Sequence, residues 1–362
     1  MPVYFDIILS VLGLVLTFYA MNRITESYFV ESLEAIAGRL RLTSDIAGAS
    51  LMAIGSSAPE LFISLLALVK GMEFAELGAG TIVGSALFNI LVIIGATALL
   101  GTTVLNWQPA VRDLLFYSLS IALLYYVISD GEITLSESIL FVGFYVVYLA
   151  ALPIWRRVFP YEDQAGTGAA VILEKEYKEV SHAPWYWWWT LPIDALFKAI
   201  MPDLGRRPNL YWWTFLISVL VICLLSWGLV EAGVVLATAF GVPNAIIGLT
   251  VLAVGTSIPD LLSSLIVARQ GKGDMAVSNA IGSNIFDILV GLGVVWMAMI
   301  LVLDQPITIT TSELTASLAL LMGSVVLLGV LLLSLRWRIG KRSGFALISV
   351  YSVYLLVTIG SL

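Results

Sequence analysis

Ten apolar runs, each long enough to cross a lipid bilayer as a helix, constrain the fold of this chain most strongly. A transmembrane helix needs about 20 predominantly apolar residues. Five runs precede the only long polar connector and five follow it. The runs lie at residues 4–21, 44–69, 77–100, 113–129 and 136–154, and at 211–230, 244–268, 276–302, 313–334 and 344–361. We therefore predict an all-α polytopic membrane protein with ten transmembrane helices.

The composition agrees with lipid as the main solvent of the chain. Hydrophobic residues make up 60% of the 362 residues and charged residues only 12%, whereas a soluble domain is about half apolar and a quarter charged. No basic patch with interleaved aromatic residues indicates nucleic-acid binding. The single cysteine, Cys223, excludes a disulfide framework and a cysteine-rich metal site.

An odd number of spans on each side of the connector requires the two halves to enter the membrane from opposite sides. We therefore predict two inverted five-helix repeats, residues 1–154 and 211–362, joined by a connector over residues 155–210. With the N-terminus outside, every Lys and Arg except Lys70 falls on the inner side. By the positive-inside rule, both termini are extracytoplasmic and the connector is cytoplasmic.

The connector contains an aromatic cluster, "PWYWWW", at residues 184–189, followed by a short segment over residues 191–204. Tryptophan beside a short helix with charges on one face indicates an element that lies in the membrane interface. A loop packed on the cytoplasmic ends of the helices explains the same pattern equally well.

An acidic motif recurs in the two halves, inside otherwise apolar segments. The stretch "MAIGSSAPELFISLL" at residues 52–66 matches "LAVGTSIPDLLSSLI" at 252–266, so that Glu60 corresponds to Asp260. A carboxylate at the bilayer centre costs roughly 2.5–3.5 kcal/mol even on lenient insertion scales. One such motif would also fit a kinked helix with a satisfied polar residue, but two copies favour a site. Inverted duplication is typical of secondary transporters, whose sites form where broken helices meet near the midplane.

A second pair of motifs contributes further polar residues. The block "GSALFNIL" at residues 84–91 matches "GSNIFDIL" at 282–289, which pairs Asn89 with Asp287. Spacings of three or four residues place a serine and an acid or amide on one face of each helix. These pairs are Ser57 with Glu60, Ser85 with Asn89, Ser257 with Asp260, and Ser283 with Asp287.

The residue types around both motifs suit hard cations. Each proline removes a backbone donor and the nearby glycine favours unwinding, so we expect freed carbonyls around Ala53–Ser56 and Ala253–Thr256. The set offers three carboxylates, an amide, hydroxyls and carbonyls, with neither sulfur nor imidazole. Oxygen ligands of this kind favour Ca²⁺ or Na⁺ over zinc, copper or iron.

These motifs resemble the two alpha-repeats of the sodium/calcium exchanger family, within the calcium/cation antiporter superfamily. The resemblance is strongest over residues 45–95 and 243–295, and it is closest to the potassium-dependent branch. It implies an antiporter that exchanges Na⁺ for Ca²⁺ by alternating access, with the ions as substrates, no cofactor and no enzymatic reaction. We expect the chain to lie in the plasma membrane. It implies that Glu60 and Asp260 are the main calcium ligands. The residues that it implies to complete the calcium and sodium sites are Ser57, Ser257, Asn89, Asp287, Ser85 and Ser283, with the carbonyls of Ala53, Ser56, Ala253 and Thr256.

Three other interpretations stay open at this stage. A Ca²⁺/H⁺ exchanger of the same superfamily is the nearest, although "GSSAPE" and "GTSIPD" lack its acidic signature with an adjacent Asn and His-type polar residues. An intramembrane aspartyl protease would explain "GKGD" at residues 271–274, but Arg269 and Lys272 flank that stretch and no second catalytic motif is present. A passive channel is the third; two opposed halves with buried carboxylates favour coupled transport instead.

The charge of Asp287 leaves the role of potassium open. Its partner Asn89 is neutral, so the site holds three carboxylates, and Ca²⁺ alone would leave one negative charge uncompensated in a low-dielectric cavity. Either Asp287 stays protonated, or a monovalent cation enters together with Ca²⁺. The resemblance to the potassium-dependent branch implies the second, and we expect K⁺ to be co-transported.

Overall fold

Helices form nearly all of the regular structure of the described residues in the computed structural model. The structure describes residues 2–70, 82, 84–162, 191–202, 208–241, 253–308 and 311–360. The helices of the first half are α1 (Pro2–Ile24, π-helical Thr25–Phe29, Val30–Leu40), α2 (Ser44–Ala47, π-helical Gly48–Met52, Ala53–Ser56), α3 (Ala58–Lys70), α4 (Gly84–Leu100, π-helical over Asn89–Ile93), α5 (Trp107–Ile128) and α6 (Leu135–Val158). Those that follow are α7 (Leu191–Ile200), α8 (Tyr211–Ala239), α9 (Ala253–Thr256), α10 (Ile258–Arg269), α11 (Gly273–Phe286, π-helical Asp287–Leu292, Gly293–Leu303), α12 (Thr311–Ser334) and α13 (Lys341–Gly360).

Six helical stretches among the described residues are long and apolar enough to cross a membrane. They are Ile7–Leu40, Ser44–Leu65, Trp107–Ile128, Leu135–Val158, Tyr211–Val235 and Gly273–Val302. Large apolar side chains such as Val146, Leu333 and Leu356 are exposed on the outside of the bundle. An apolar outer surface of this extent indicates contact with lipid. The chain is an integral membrane protein.

The predicted apolar runs are helical where they fall on described residues, but the runs 44–69 and 244–268 are each divided into two helices, at Ser57 and at Ser257. The runs 77–100 and 244–268 are described only from Gly84 and from Ala253 onward, apart from Ile82. The aromatic cluster of the connector lies outside the described residues. Helix α1 continues well past the predicted end of the first run, to Leu40, because buried side chains of its second part pack against α8.

Glycines allow a close approach of α2 and α11 at the centre of the bundle. A Cβ atom on Gly282 would lie 2.9 Å from the Cα of Ala49, and one on Gly48 would overlap the carbonyl oxygen of Met275. In both cases the neighbour is backbone, which cannot rotate away as a side chain can. Small residues at helix interfaces permit this kind of backbone contact in membranes.

Two short antiparallel ribbons mark opposite ends of the bundle. Strand β1 (Thr103–Val104) pairs with β4 (Arg338–Ile339), and β2 (Glu132–Ile133) pairs with β3 (Ile307–Thr308). The 22 residues of α5 separate β1 from β2, a rise of about 33 Å. The β1–β4 ribbon lies at the end where α6 leads into the connector, since the side chain of Asn106 donates to the carbonyl oxygen of Glu162 at 2.8 Å. We call this end the connector end.

A buried ionic network ties three helices together near the connector end. Arg112 of α5 is fully buried and donates to both carboxylate oxygens of Asp113 (2.8 and 3.1 Å) and to Asp45 of α2 (3.2 Å). Tyr148 of α6 donates to Asp113 at 3.2 Å, and Tyr161 donates to Asp45 at 2.6 Å. Burial, followed by the charge of Asp45, raises the pKa of the Tyr161 phenol, which stays a neutral donor. Arg112 therefore lies inside helix α5, although the predicted apolar run begins only at residue 113.

Candidate cation site

Two matched helix breaks form the core of the site. Ser57 separates α2 from α3, and Ser257 separates α9 from α10. The two serines have nearly the same backbone conformation, with φ and ψ of −90° and 0° at Ser57 and −86° and 3° at Ser257. This bridge region is sparsely populated and is common at active sites. The repeated sequence motif therefore folds into a repeated local structure.

The carbonyl groups beside the breaks are freed only in part. Those of Ala53 and Ala253 still accept hydrogen bonds from the N–H groups of Ser57 (3.0 Å) and Ser257 (3.4 Å), so the expectation that they lose their helical partners is wrong. The carbonyls of the glycines four residues before each proline lack a helical donor, because proline has no N–H. A carbonyl oxygen has two lone pairs, so both alanines can still contribute a ligand.

The acidic and amide residues of the motifs occupy equivalent positions in their helices. Glu60 and Asp260 lie in the first turns of α3 and α10, where the helix dipole favours a negative charge. Asn89 and Asp287 each begin a π-helical segment, in α4 and α11 respectively. Single π-helical turns inside α-helices are frequent at functional sites.

Three carboxylates converge between these helices. One oxygen atom from each of Glu60, Asp260 and Asp287 lies within 4.8 Å of those from the other two. The three residues are 4%, 0% and 1% exposed. Within the described part of the chain, no Lys or Arg forms an ion pair with any of them. Removing a charged group from water costs several kcal/mol per ion, so this cluster needs a cation or protons to be stable.

Neutral polar groups from both halves of the chain donate hydrogen bonds to two of these carboxylates, Asp260 and Glu60. The amide nitrogen of Asn89 donates to Oδ2 of Asp260 at 3.1 Å, and the hydroxyl of Ser283 donates to its Oδ1 at 2.9 Å. Across the site, the hydroxyl of Ser257 donates to Oε1 of Glu60 at 3.4 Å. These hydrogen bonds orient Asp260 firmly and leave Glu60 with one bound oxygen.

The remaining predicted residues with a hydroxyl group are also buried, and these hydroxyls donate mainly to backbone. Ser85 donates to the carbonyl of Ile82 at 3.0 Å, and Ser56 and Thr256 donate to carbonyls of their own helices at 2.7 and 3.3 Å. Ser56 also interacts with Asp260, and Thr256 interacts with Glu60, so each half supplies a hydroxyl to the acid of the other. The twelve predicted site residues thus lie at the two helix breaks, over residues 53–60 and 253–260, and in α4 and α11, and all of them are buried.

Five buried oxygen atoms at the cluster lack a hydrogen-bond partner among the described residues. They are Oε2 of Glu60, Oδ1 of Asn89, Oγ of Ser57 and both carboxylate oxygens of Asp287. Ser57 does interact with Asp260 and Asp287, but without the geometry of a hydrogen bond. A buried polar atom without a partner costs about 1–3 kcal/mol, and more when it is charged. Buried oxygens that lack a hydrogen-bond partner are the kind of ligand that a hard cation requires.

Buried polar residues that the sequence analysis did not single out support the cluster. Asn284 accepts a hydrogen bond from Asn89 at 3.0 Å and donates one to the hydroxyl of Tyr117 at 3.0 Å. Asn279 donates to the hydroxyl of Ser264 at 3.0 Å. Asn284 lies inside the motif "GSNIFDIL", which was a signal for its role. Tyr117 lies in α5, outside both pairs of motifs, and no sequence signal marks it.

The model of the family described as "Sodium/calcium exchanger protein" matches residues 9–152 and 210–360. The chain belongs to the sodium/calcium exchanger family. Sodium/potassium/calcium exchanger 5 of Homo sapiens is 30% identical to it, over 95% of this chain and 81% of the relative. Sodium/potassium/calcium exchanger 4 of Mus musculus is 28% identical, over 98% of this chain and 81% of the relative. The resemblance inferred from the motifs is therefore confirmed, and potassium-dependent exchangers are among the family members that it resembles.

Solved structures of a family member share the fold. The sodium-calcium exchanger NCX_Mj soaked with 2.5 mM Na⁺ and 10 mM Sr²⁺ matches with a TM-score of 0.66 at 22% identity, over 98% of this chain and 99% of that chain. The same exchanger soaked with 10 mM Na⁺ and zero Ca²⁺ matches with a TM-score of 0.67 at 21% identity. The exchanger family thus has the helical membrane architecture seen in this chain, and its members are transporters, in agreement with a chain that is not an enzyme.

Proposed function

We propose that the chain is a secondary active antiporter that exchanges Na⁺ for Ca²⁺ across the membrane by alternating access. The observation that carries this proposal is the cluster of Glu60, Asp260 and Asp287, three buried carboxylates drawn from both halves of the chain. Membership of the exchanger family and the names of the relatives support the same pair of ions. Because Ca²⁺ and Na⁺ both take oxygen ligands, they would compete for one set of atoms, and this competition couples their movements.

Glu60 and Asp260 would be the main calcium ligands, since they face each other from the two equivalent helix breaks. Ca²⁺ takes 6–8 oxygen ligands, and the three carboxylates together with the neighbouring polar groups offer that many. Among the described residues, no Lys or Arg pairs with these carboxylates and competes with the ion. The groups that would complete the calcium and sodium sites are the side chains of Asp287, Asn89, Ser57, Ser257, Ser85 and Ser283, and the backbone carbonyls of Ala53, Ser56, Ala253 and Thr256.

Ten spans in two inverted repeats, over 1–154 and 211–362, belong to the same proposal. In a duplicated chain, β1 and β3 are equivalent because each follows the third span of its half, and β2 and β4 are equivalent because each follows the fourth. Each pairing joins non-equivalent strands, β1 with β4 and β2 with β3. Equivalent strands therefore lie at opposite ends of the bundle. A two-fold axis in the membrane plane produces this arrangement, and repeats in the same orientation would not.

We also propose an orientation of the chain in the plasma membrane, which the positions of the basic residues support. The connector end holds Arg112 and Arg338, and it also holds Lys272, because the neighbouring Gly273 contacts Thr103 of β1. This clustering of basic residues supports a cytoplasmic connector and two extracytoplasmic termini.

Uptake of ⁴⁵Ca²⁺ into proteoliposomes loaded with Na⁺ tests the proposed function. Dilution into Na⁺-free medium should drive uptake. Glu60→Gln should reduce this uptake by at least about 100-fold, because a buried Ca²⁺ would lose one of its charged ligands. Removing one partner of a buried charge pair costs about 3–5 kcal/mol, and 1.4 kcal/mol corresponds to a factor of ten. Glu231→Gln is the matched control, since Glu231 is an exposed carboxylate on α8, and it should transport normally.

Two outcomes would contradict the proposal. Normal exchange by Glu60→Gln would show that the carboxylate of Glu60 is not a required ligand. Uptake that follows an imposed proton gradient and ignores Na⁺ would instead favour a Ca²⁺/H⁺ exchanger.

A further inference from the structure

A chain of hydrogen bonds leads from α5 to the carboxylate cluster. The hydroxyl of Tyr117 accepts a hydrogen bond from Nδ2 of Asn284 at 3.0 Å. Oδ1 of Asn284 accepts one from Nδ2 of Asn89 at 3.0 Å, and the same nitrogen donates to Oδ2 of Asp260 at 3.1 Å. All four residues are fully buried, so water does not compete for these bonds.

The chemistry of the neighbours decides how both amides point. Nδ2 of Asn284 also donates to the carbonyl oxygen of Ala86 at 3.0 Å, a group that can only accept. The amino group of Asn284 must therefore face Ala86 and Tyr117, and its oxygen must face Asn89. Asn89 in turn directs its amino group to Asn284 and Asp260. Its own Oδ1 is left as one of the unpartnered oxygens of the cluster.

We propose that Tyr117 is a positioning residue for cation binding, which acts through Asn284 to hold Oδ1 of Asn89 towards the bound ion. The inference rests on the proposed function, since it concerns the same site. Both hydrogens of the Asn284 amino group are used, one on Ala86 and one on Tyr117. Without the phenol oxygen, one of them is left unpaired in the protein interior, and only the bonds to Ala86 and from Asn89 still hold the amide of Asn284.

Tyr117→Phe removes only the hydroxyl and is the variant to measure. Its apparent KM for Ca²⁺ in the proteoliposome assay should rise about 2- to 10-fold, the range expected for one neutral hydrogen bond, while the maximal rate stays within about twofold because the carboxylates are unchanged. Tyr351→Phe is the matched control: Tyr351 is buried against Phe88, and its hydroxyl has no partner among the described residues. It should leave KM unchanged.

A double-mutant cycle separates positioning from a general structural role. Asn89→Ser keeps an oxygen atom but removes the amide, so Tyr117→Phe should add no further increase of KM in that background. An unchanged KM in Tyr117→Phe alone, or the same fold increase in both backgrounds, would overturn the inference. A lower thermal midpoint of the ion-free protein with an unchanged KM would do so as well.

Thermal stabilisation of the purified protein by Ca²⁺ measures cation binding directly. This test therefore does not depend on whether the protein exchanges Na⁺ for Ca²⁺. If the wild-type protein shows no Na⁺-driven uptake, the proposed function fails. The Ca²⁺ concentration that half-stabilises the purified protein should still be higher for Tyr117→Phe than for Tyr351→Phe. If Ca²⁺ stabilises neither variant nor the wild type, both proposals fail.

Discussion

Asp287 is the residue on which the charge of the site depends. Its two carboxylate oxygens have no hydrogen-bond partner among the described residues, whereas Asp260 accepts from Asn89 and Ser283. Of the three acids, Asp287 therefore accepts the fewest hydrogen bonds from the protein. The equivalent residue in the first half, Asn89, is neutral. A cation that accompanies Ca²⁺ would most directly compensate Asp287.

Replacing Asp287 by Asn should remove the potassium dependence of transport. Na⁺-driven Ca²⁺ uptake by the wild type should rise when K⁺ replaces choline, because K⁺ compensates the third carboxylate. Asp287→Asn makes the two halves alike and removes that charge, so exchange should continue at a rate independent of K⁺. Asp304→Asn alters an exposed carboxylate and should keep the K⁺ response.

Equal wild-type uptake in K⁺ and in choline would decide against potassium co-transport. Asp287 would then be the acid that stays protonated.

Two elements, α2 and α11, depend on their glycines for contact. Gly48→Ala should destabilise the protein by about 1–3 kcal/mol, the usual cost of overpacking, because the added methyl group overlaps the backbone of Met275. The thermal midpoint of the purified protein measures this loss. Gly143→Ala, in α6, adds a methyl group with no atom within 4 Å and should be neutral or slightly stabilising, since alanine favours helix. Equal midpoints for the two variants would contradict the importance of the contact.

Helices α2, α5 and α6 depend on Arg112 in a different way. Arg112→Met leaves Asp45 and Asp113 buried without their cation, and removing one partner of a buried ion pair costs about 3–5 kcal/mol. The thermal midpoint should therefore fall more than for any surface substitution. Arg157→Met changes an exposed arginine at the end of α6 and should leave the midpoint nearly unchanged. A small effect of Arg112→Met would mean that the carboxylates bind protons instead.

At the scale of the whole molecule, the orientation in the membrane is open to a direct test. A cysteine introduced as Thr167→Cys, with Cys223 replaced by Ala, should resist membrane-impermeant thiol reagents applied outside intact cells, because the connector would be cytoplasmic. Asp130→Cys, at the turn before β2 and exposed, lies at the opposite end and should react. The reverse pattern of labelling would invert the topology.

Family, element type and the acidic residues of the site were readable from the sequence. Length and hydropathy of a run are local properties, so the helices appear where the runs predict them. The motif is duplicated, so aligning its two copies shows which residues correspond. This alignment identified Glu60, Asp260, Asn89 and Asp287. Their roles as ligands stay a prediction, although the structure brings their side chains together.

The positions of Tyr117 and Arg112 required the tertiary structure. Tyr117 lies 167 residues from Asn284 and Arg112 lies 67 residues from Asp45, and neither pair carries a pattern in the sequence. The pairing of β1 with β4 is equally non-local. Which side chains meet across such distances depends on the crossing of α2, α5 and α11, which is set by where glycine permits backbone contact and by which buried polar groups can satisfy one another. Those are properties of packed pairs of helices, and a single run of residues does not contain them.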